Sequence, residues 1–240
     1  MEYEQGEWII RGVSDNDPKR IKTVDELVER VGEYGFLPLF RNDIPGFSVE
    51  EMTVSYHWWS EDPERDPWLW RQIVAESGRA VYGKFFDKKA GFVSLDRFPR
   101  FANYRRDGYD FDARWDDGKA DIRLKKLTDV FADKDECFSF ALKEAAGFGK
   151  GGEKNFEGCV TELQMLTYLV IRDFRPRRNK RGEPYGWPIA VYTTPERRWG
   201  YDYIAAGYRE TPEESYRKLR EQIEKLCPGI SDRQLKKLLR

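Results

Sequence analysis

The chain has 240 residues, 40% apolar and 15% aromatic, which suffices for one large or two small folded cores. Its formal net charge is −1, so it is no general cationic coat for nucleic acid, and any such contact needs local clustering of lysine and arginine. Three cysteines without CxxC spacing argue against a zinc site, no run approaches the roughly 20 apolar residues that cross a bilayer, and the acidic N-terminus lacks a signal-peptide core; the chain is expected in the cytoplasm, without metal or cofactor.

Residues 1–22 are expected to form an extended arm or short strand around Trp8, Ile9 and Ile10. Thr23 caps a helix, with Glu26 completing a capping box, Val24, Leu27, Val28 and Val31 as its apolar stripe and Gly35 as its stop. Residues 36–47, with Pro38 and Pro45-Gly46, predict a loop. Asp66-Pro67 starts a second helix running to about Gly78. The runs 80–86 and 90–94 then flank Asp87-Lys88-Lys89 as a hairpin. Between Phe98 and Gly118, aromatic residues interleave with arginines and aspartates more densely than anywhere else in the chain.

Helical spacing returns over 121–131 and, more briefly, over 137–146; Gly147, Gly149, Gly151 and Gly152 make a turn, and 155–167 carries Phe156, Val160, Leu163 and Leu166 at helical intervals. The runs 168–171 and 187–192 predict two strands, joined by a segment, Arg172 to Tyr185, that holds Arg172, Arg175, Arg177, Arg178, Lys180 and Arg181 against only Asp173 and Glu183. Helix, helix, turn, helix, strand, basic wing and strand is the order of a winged helix-turn-helix, in which the third helix enters the major groove and the wing meets the backbone. Thr194-Pro195, Thr211-Pro212 and Ser231 start further helices. The expected fold is α+β: an arm (1–22), a winged-helix-like unit (23–118), a second with a basic wing (119–194) and C-terminal helices packed on the body (195–240).

Several segments carry a resemblance: Trp58-Trp59 with Asp66-Pro67-Trp68-Leu69-Trp70-Arg71, Tyr82-Gly83-Lys84-Phe85-Phe86, residues 105–112 (RRDGYDFD) and Leu163-Gln164-Met165. Together they resemble the bacterial AlkZ-related family, named for its likeness to the AlkZ (YcaQ-type) DNA glycosylases. The resemblance implies tandem winged helices, DNA as partner and action on damaged bases. The Gln-x-Gln or Gln-x-Asp pair of the glycosylases has no equivalent, since Gln164 is followed by Met165 and Leu166. No catalytic residue is carried across on that ground.

The residues themselves offer three groups of candidates. Asp110 and Asp112 straddle Phe111, so an extended strand would put both carboxylates on one face, where they or Gln164 would orient a water; equally, these acids would pair with Arg105, Arg106 and Arg114 as structural ion pairs. The wing cations, with Lys150 and Lys154 of the glycine-rich turn, suit phosphate contact. Trp58, Trp59, Trp70, Tyr109 and Trp115 would stack on an extruded base or fill the core. A non-catalytic module binding a protein or small ligand is the alternative. His57, the only histidine, has no partner motif for nucleophilic chemistry.

Overall fold

A computed structural model of the chain describes residues 2–4 and 7–239. It divides into two units, Met1–Phe98 with Arg217–Arg240, and Pro99–Tyr216. The first opens with β1 (Glu2–Glu4) antiparallel to β2 (Glu7–Ile9), so the expected arm is a small ribbon. Helix α1 (Val24–Tyr34) begins at the predicted cap: Thr23 Oγ1 accepts from Glu26 N at 3.2 Å, and Gly35, at φ 82°, ends it. Leu27 and Val31 are its buried face.

The loop expected over 36–47 is corrected at its start. Phe36–Pro38 is a strand, β3, in register with the later strand Lys89–Ser94 through Phe36 and Val93, Leu37 and Phe92, and Pro38 and Gly91. Proline is tolerated because it closes a three-residue strand at the sheet edge. Two 3-10 turns, Glu50–Met52 and Ser55–His57, lead to α2 (Pro67–Ser77). Strands β4 (Ala80–Phe86) and β5 (Lys89–Ser94) follow, turning through Asp87 and Lys88 at φ 50° and 64°. Two positive φ values in a two-residue turn match the twist of a tight hairpin. The strand order is β3-β5-β4, so the short strand flanks the returning one.

The second unit takes in all but the first residue of α3 (Phe98–Arg106), then α4 (Phe111–Asp116), α5 (Ile122–Asp129), β6 (Cys137–Phe138), α6 (Ser139–Ala145), α7 (Phe156–Met165), β7 (Val170–Arg178), β8 (Pro184–Thr193), α8 (Pro195–Trp199) and α9 (Tyr201–Ala205). The short helix expected over 137–146 loses its first two residues to β6, because Cys137 and Phe138 pair with Tyr192 and Val191 of β8. The order β7-β8-β6 again sets a short strand beside the returning one. Both units thus run helix, short strand, helical turn or helix, helix, long strand and return strand.

A charged residue organises the interior of the second unit. Arg106, with 0% exposure, donates to Thr167 O at 2.8 Å, Thr167 Oγ1 at 3.2 Å, Glu196 at 2.6 Å and Tyr208 Oη at 3.1 Å, and its guanidinium lies 4.4 Å from the centre of the Tyr168 ring. It thereby ties α3 to the turn after α7, to α8 and to the 3-10 turn at Ala206–Arg209. Burial alone would lower its pKa, but the attraction of Glu196 and Tyr208 outweighs that and raises it. The cation is therefore permanent.

Helix α10 (Pro212–Leu226) starts in a reciprocal capping box, Thr211 N to Glu214 at 2.8 Å and Glu214 N to Thr211 Oγ1 at 3.2 Å. It re-enters the first unit, where Leu219 and Ile223 are buried and Gln222 donates to Tyr34 O at 2.9 Å. Helix α11 (Asp232–Leu239) buries Leu235, Leu238 and Leu239, while Lys237 pairs with Asp43 at 2.9 Å. No helix among the described residues is long and apolar enough to cross a membrane.

Candidate nucleic-acid interface

The two hairpins differ in what they expose. β4 and β5 are buried along most of their length, whereas β7 and β8 are buried only near their base, and every residue from Arg177 to Pro188 is exposed. The strands also run further than the sequence predicts. The segment 172–185, expected to be a polar insertion, is mostly strand: Arg172, Arg175, Arg177 and Arg178 stand in β7, leaving Lys180 and Arg181 at the tip. Mixed charge hid the strand, because alternation is a weak signal where neither face of a protruding ribbon is buried.

Among the six cations, position decides availability. Arg172 and Arg175 sit at the base, both paired with Glu136, and Arg175 also with Asp173. The hydrogen bond from Arg175 holds the Glu136 carboxyl below its ordinary pKa, so the clamp is closed at neutral pH. Further out, Arg177 lies over the Phe140 ring at 5.3 Å and Arg178 donates to the Gly182 carbonyl at 2.7 Å; neither is engaged by a carboxylate among the described residues, and Lys180 and Arg181 are exposed. The outer four carry the free positive charge. Lys150 and Lys154 add exposed cations in the loop before α7, which Asn155 enters at φ 65°. The outward face of α7 itself bears Glu157 and Glu162, so phosphate contact falls to the loop and hairpin rather than to this helix.

One exposed aromatic escaped the sequence reading. Trp187 looks like a strand residue in register with Ile189 and Val191, yet it is 85% exposed. The register slips between Arg175/Ile189 and Arg177/Tyr185, and Gly186 at φ 72° opens a bulge that turns Trp187 outward. The sequence signal was present: glycine before and proline after a tryptophan mark an interrupted strand.

The aspartates expected on a strand lie on a helix. Asp110 is the N-cap of α4 and accepts from Ala113 N at 2.8 Å, and Asp112 stands exposed in the first turn, two residues on, so the carboxylates do not share a face. The arginines expected to pair with them are engaged elsewhere: Arg106 takes Glu196, Arg105 donates to Met165 O at 3.0 Å and Arg114 to Arg106 O at 3.5 Å. The cap asserted itself over the alternation because an aspartate ahead of a short apolar turn satisfies orphan N–H groups. Gln164 is fully buried in α7, its amide donating to Val160 O at 3.3 Å. Tyr109 is half-buried, donates to Asp117 at 3.0 Å and has Lys119 over its ring; Trp115, in α4, is half-buried.

Of the tryptophans, Trp70 is 1% exposed and Trp58 4%, its indole N–H given to Thr53 Oγ1 at 2.9 Å. Trp59 is 43% exposed, at φ 61°. That backbone is held by the buried Asp66 carboxylate, which accepts from Trp59 N at 3.1 Å, Glu61 N at 3.3 Å and Trp68 N at 2.8 Å. Asp66→Ala removes a helix cap and leaves three partly buried backbone donors without their acceptor, so it is expected to cost about 2 kcal/mol and to release Trp59, seen as a lower denaturation midpoint and a red-shifted tryptophan emission. Among the described residues no group of His, Cys, Asp and Glu is placed to hold a metal ion.

The sequence model of a family described as AlkZ related matches residues 21–240. No curated protein matches the chain. Among solved structures, the Streptomyces sahachiroi DNA glycosylase AlkZ is similar at 13% identity and a TM-score of 0.44, over 92% of this chain and 60% of that one, so the chain spans less than two thirds of that protein's length.

Proposed function

The chain belongs to the AlkZ-related family, and from that premise we propose that it is a cytoplasmic DNA-binding protein of two winged helix-turn-helix units whose target is damaged duplex. Each unit's run of helices ending in a hairpin, with the short strand beside the returning one, supports the winged-helix reading. The observation that carries DNA as partner is the outer hairpin: Arg177, Arg178, Lys180 and Arg181 project together with a single acid, Glu183, among them, while Glu136 and Asp173 at the base are spent on Arg172 and Arg175. In a chain of net charge −1, such a cluster has one ready counterpart, a polyanion tracked phosphate by phosphate.

This is a reading of binding, and it assigns no catalytic group. Gln164 is enclosed by α7 and its neighbours, and the Asp110 carboxylate is occupied as a cap. The test is the anisotropy of a labelled duplex titrated with the whole chain at several salt concentrations. Four neutralised phosphates predict affinity falling about a hundredfold between about 50 and 200 mM salt. Binding that ignores salt, or no binding, overturns the proposal.

A further inference from the structure

Beside the outer cations lies a cleft of about 670 Å³ that phosphate binding leaves unused. Phe138 and Phe140 form one wall, stacked with centroids 5.5 Å apart and planes at 27°; Pro176 and Tyr185 of the hairpin form the other, with Arg177 and Arg178 at the rim. Phe140 is 46% exposed and Tyr185 50%. No carboxylate lines the cleft, and Glu183, the acid in the loop between the strands, is bonded to Asn179 at 2.8 Å. Phe140 carries Phe138 stacked on it and the Arg177 guanidinium over its ring at 5.3 Å, whereas no ring or cation covers Tyr185 among the described residues, so two half-exposed rings sit beside cations that no carboxylate engages there.

We propose that this cleft binds unpaired nucleotides, so that the protein favours DNA in which a few bases are out of the helix. The inference rests on the proposed DNA binding and goes beyond it. A closed duplex satisfies the cations but offers the rings nothing, since its base faces are stacked on one another. Unpaired bases present those faces to aromatic side chains, an interaction that tolerates any base and grows stronger beside arginine. Tyr185 takes one base on its uncovered ring and Phe140 takes another in place of the Arg177 guanidinium, which with Arg178 turns to the phosphates between them. Aromatic rings read neither sugar, so single-stranded RNA shares this chemistry, and both strands are assayed.

The experiment measures the affinity of the whole chain for a blunt duplex, the same duplex with a central loop of unpaired thymidines, and single strands of oligothymidine and oligouridine. The looped duplex is expected to bind about tenfold tighter than the blunt one, the scale of one stacked base. Phe140→Leu with Tyr185→Leu, which keeps apolar bulk and removes the π faces, should abolish that difference and leave blunt-duplex affinity and its salt slope in place. Oligouridine binding as tightly as the looped DNA would move the assignment to single strands in general and overturn the DNA preference. Equal affinity of the wild-type chain for looped and blunt duplexes, or a preference that survives the double substitution, overturns the inference while leaving DNA binding standing. Failure to bind every one of these nucleic acids overturns the underlying reading instead.

Discussion

Replacing Arg177, Arg178, Lys180 and Arg181 together by alanine is expected to flatten the salt dependence of duplex binding by about 3 to 4 in the slope of log K against log salt, near one unit for each phosphate no longer neutralised. The same substitution leaves the fold in place. All four side chains are exposed and none closes an ion pair among the described residues, so each removal shifts stability by no more than about 0.5 kcal/mol. Removing Arg175 instead strips Glu136 and Asp173 of a shared partner at the half-buried base of the ribbon, which lowers stability first and binding only as a consequence. Anisotropy and thermal melts on the two variants separate these outcomes. An unchanged slope in the fourfold variant would remove the hairpin from the interface.

Arg106→Met is expected to cost about 3 to 5 kcal/mol, since it leaves Glu196, the Thr167 carbonyl and the Tyr208 hydroxyl without the cation they surround. For a chain of this length that is a fall of about 10 °C in Tm. Methionine fills similar space, so a cavity is not the source of the loss. The sign with pH follows from the raised pKa: a base held above its unfolded value contributes below that value and loses the contribution only as pH climbs past it. For an arginine that point lies beyond the working range, and the penalty in the variant should be level across neutral and alkaline pH. Urea midpoints taken through that range check both magnitude and flatness.

Most helix starts were legible in the residues; those of α3 and α4 in the mixed segment 98–118, and the strand edges, were not. Thr23, Asp66, Thr194 and Thr211 each announce a helix because a side-chain oxygen satisfying N–H groups two or three residues on is local chemistry. Strands β3 and β6 are three and two residues long and exist because a distant partner, β5 or β8, supplies their hydrogen bonds. No window of sequence holds that information. Arg106 was legible only as one charge among many in a mixed segment; its neighbours in space come from α8 and from the turns after α7 and α9. The basic hairpin was found from its composition, but which cations remain free depends on Glu136, a residue that precedes β6 by one position and reaches the ribbon only through the β6–β8 pairing.

The split of the first unit into Met1–Phe98 and Arg217–Arg240 has a consequence for biosynthesis. A nascent chain emerges at about 5 to 20 residues per second, and α11, whose Leu235, Leu238 and Leu239 fill interior positions of that unit, leaves the ribosome after the whole of Pro99–Tyr216. The inserted unit therefore has all its residues before the unit that starts first, which waits with part of its apolar surface uncovered, a natural client for a holdase during the interval.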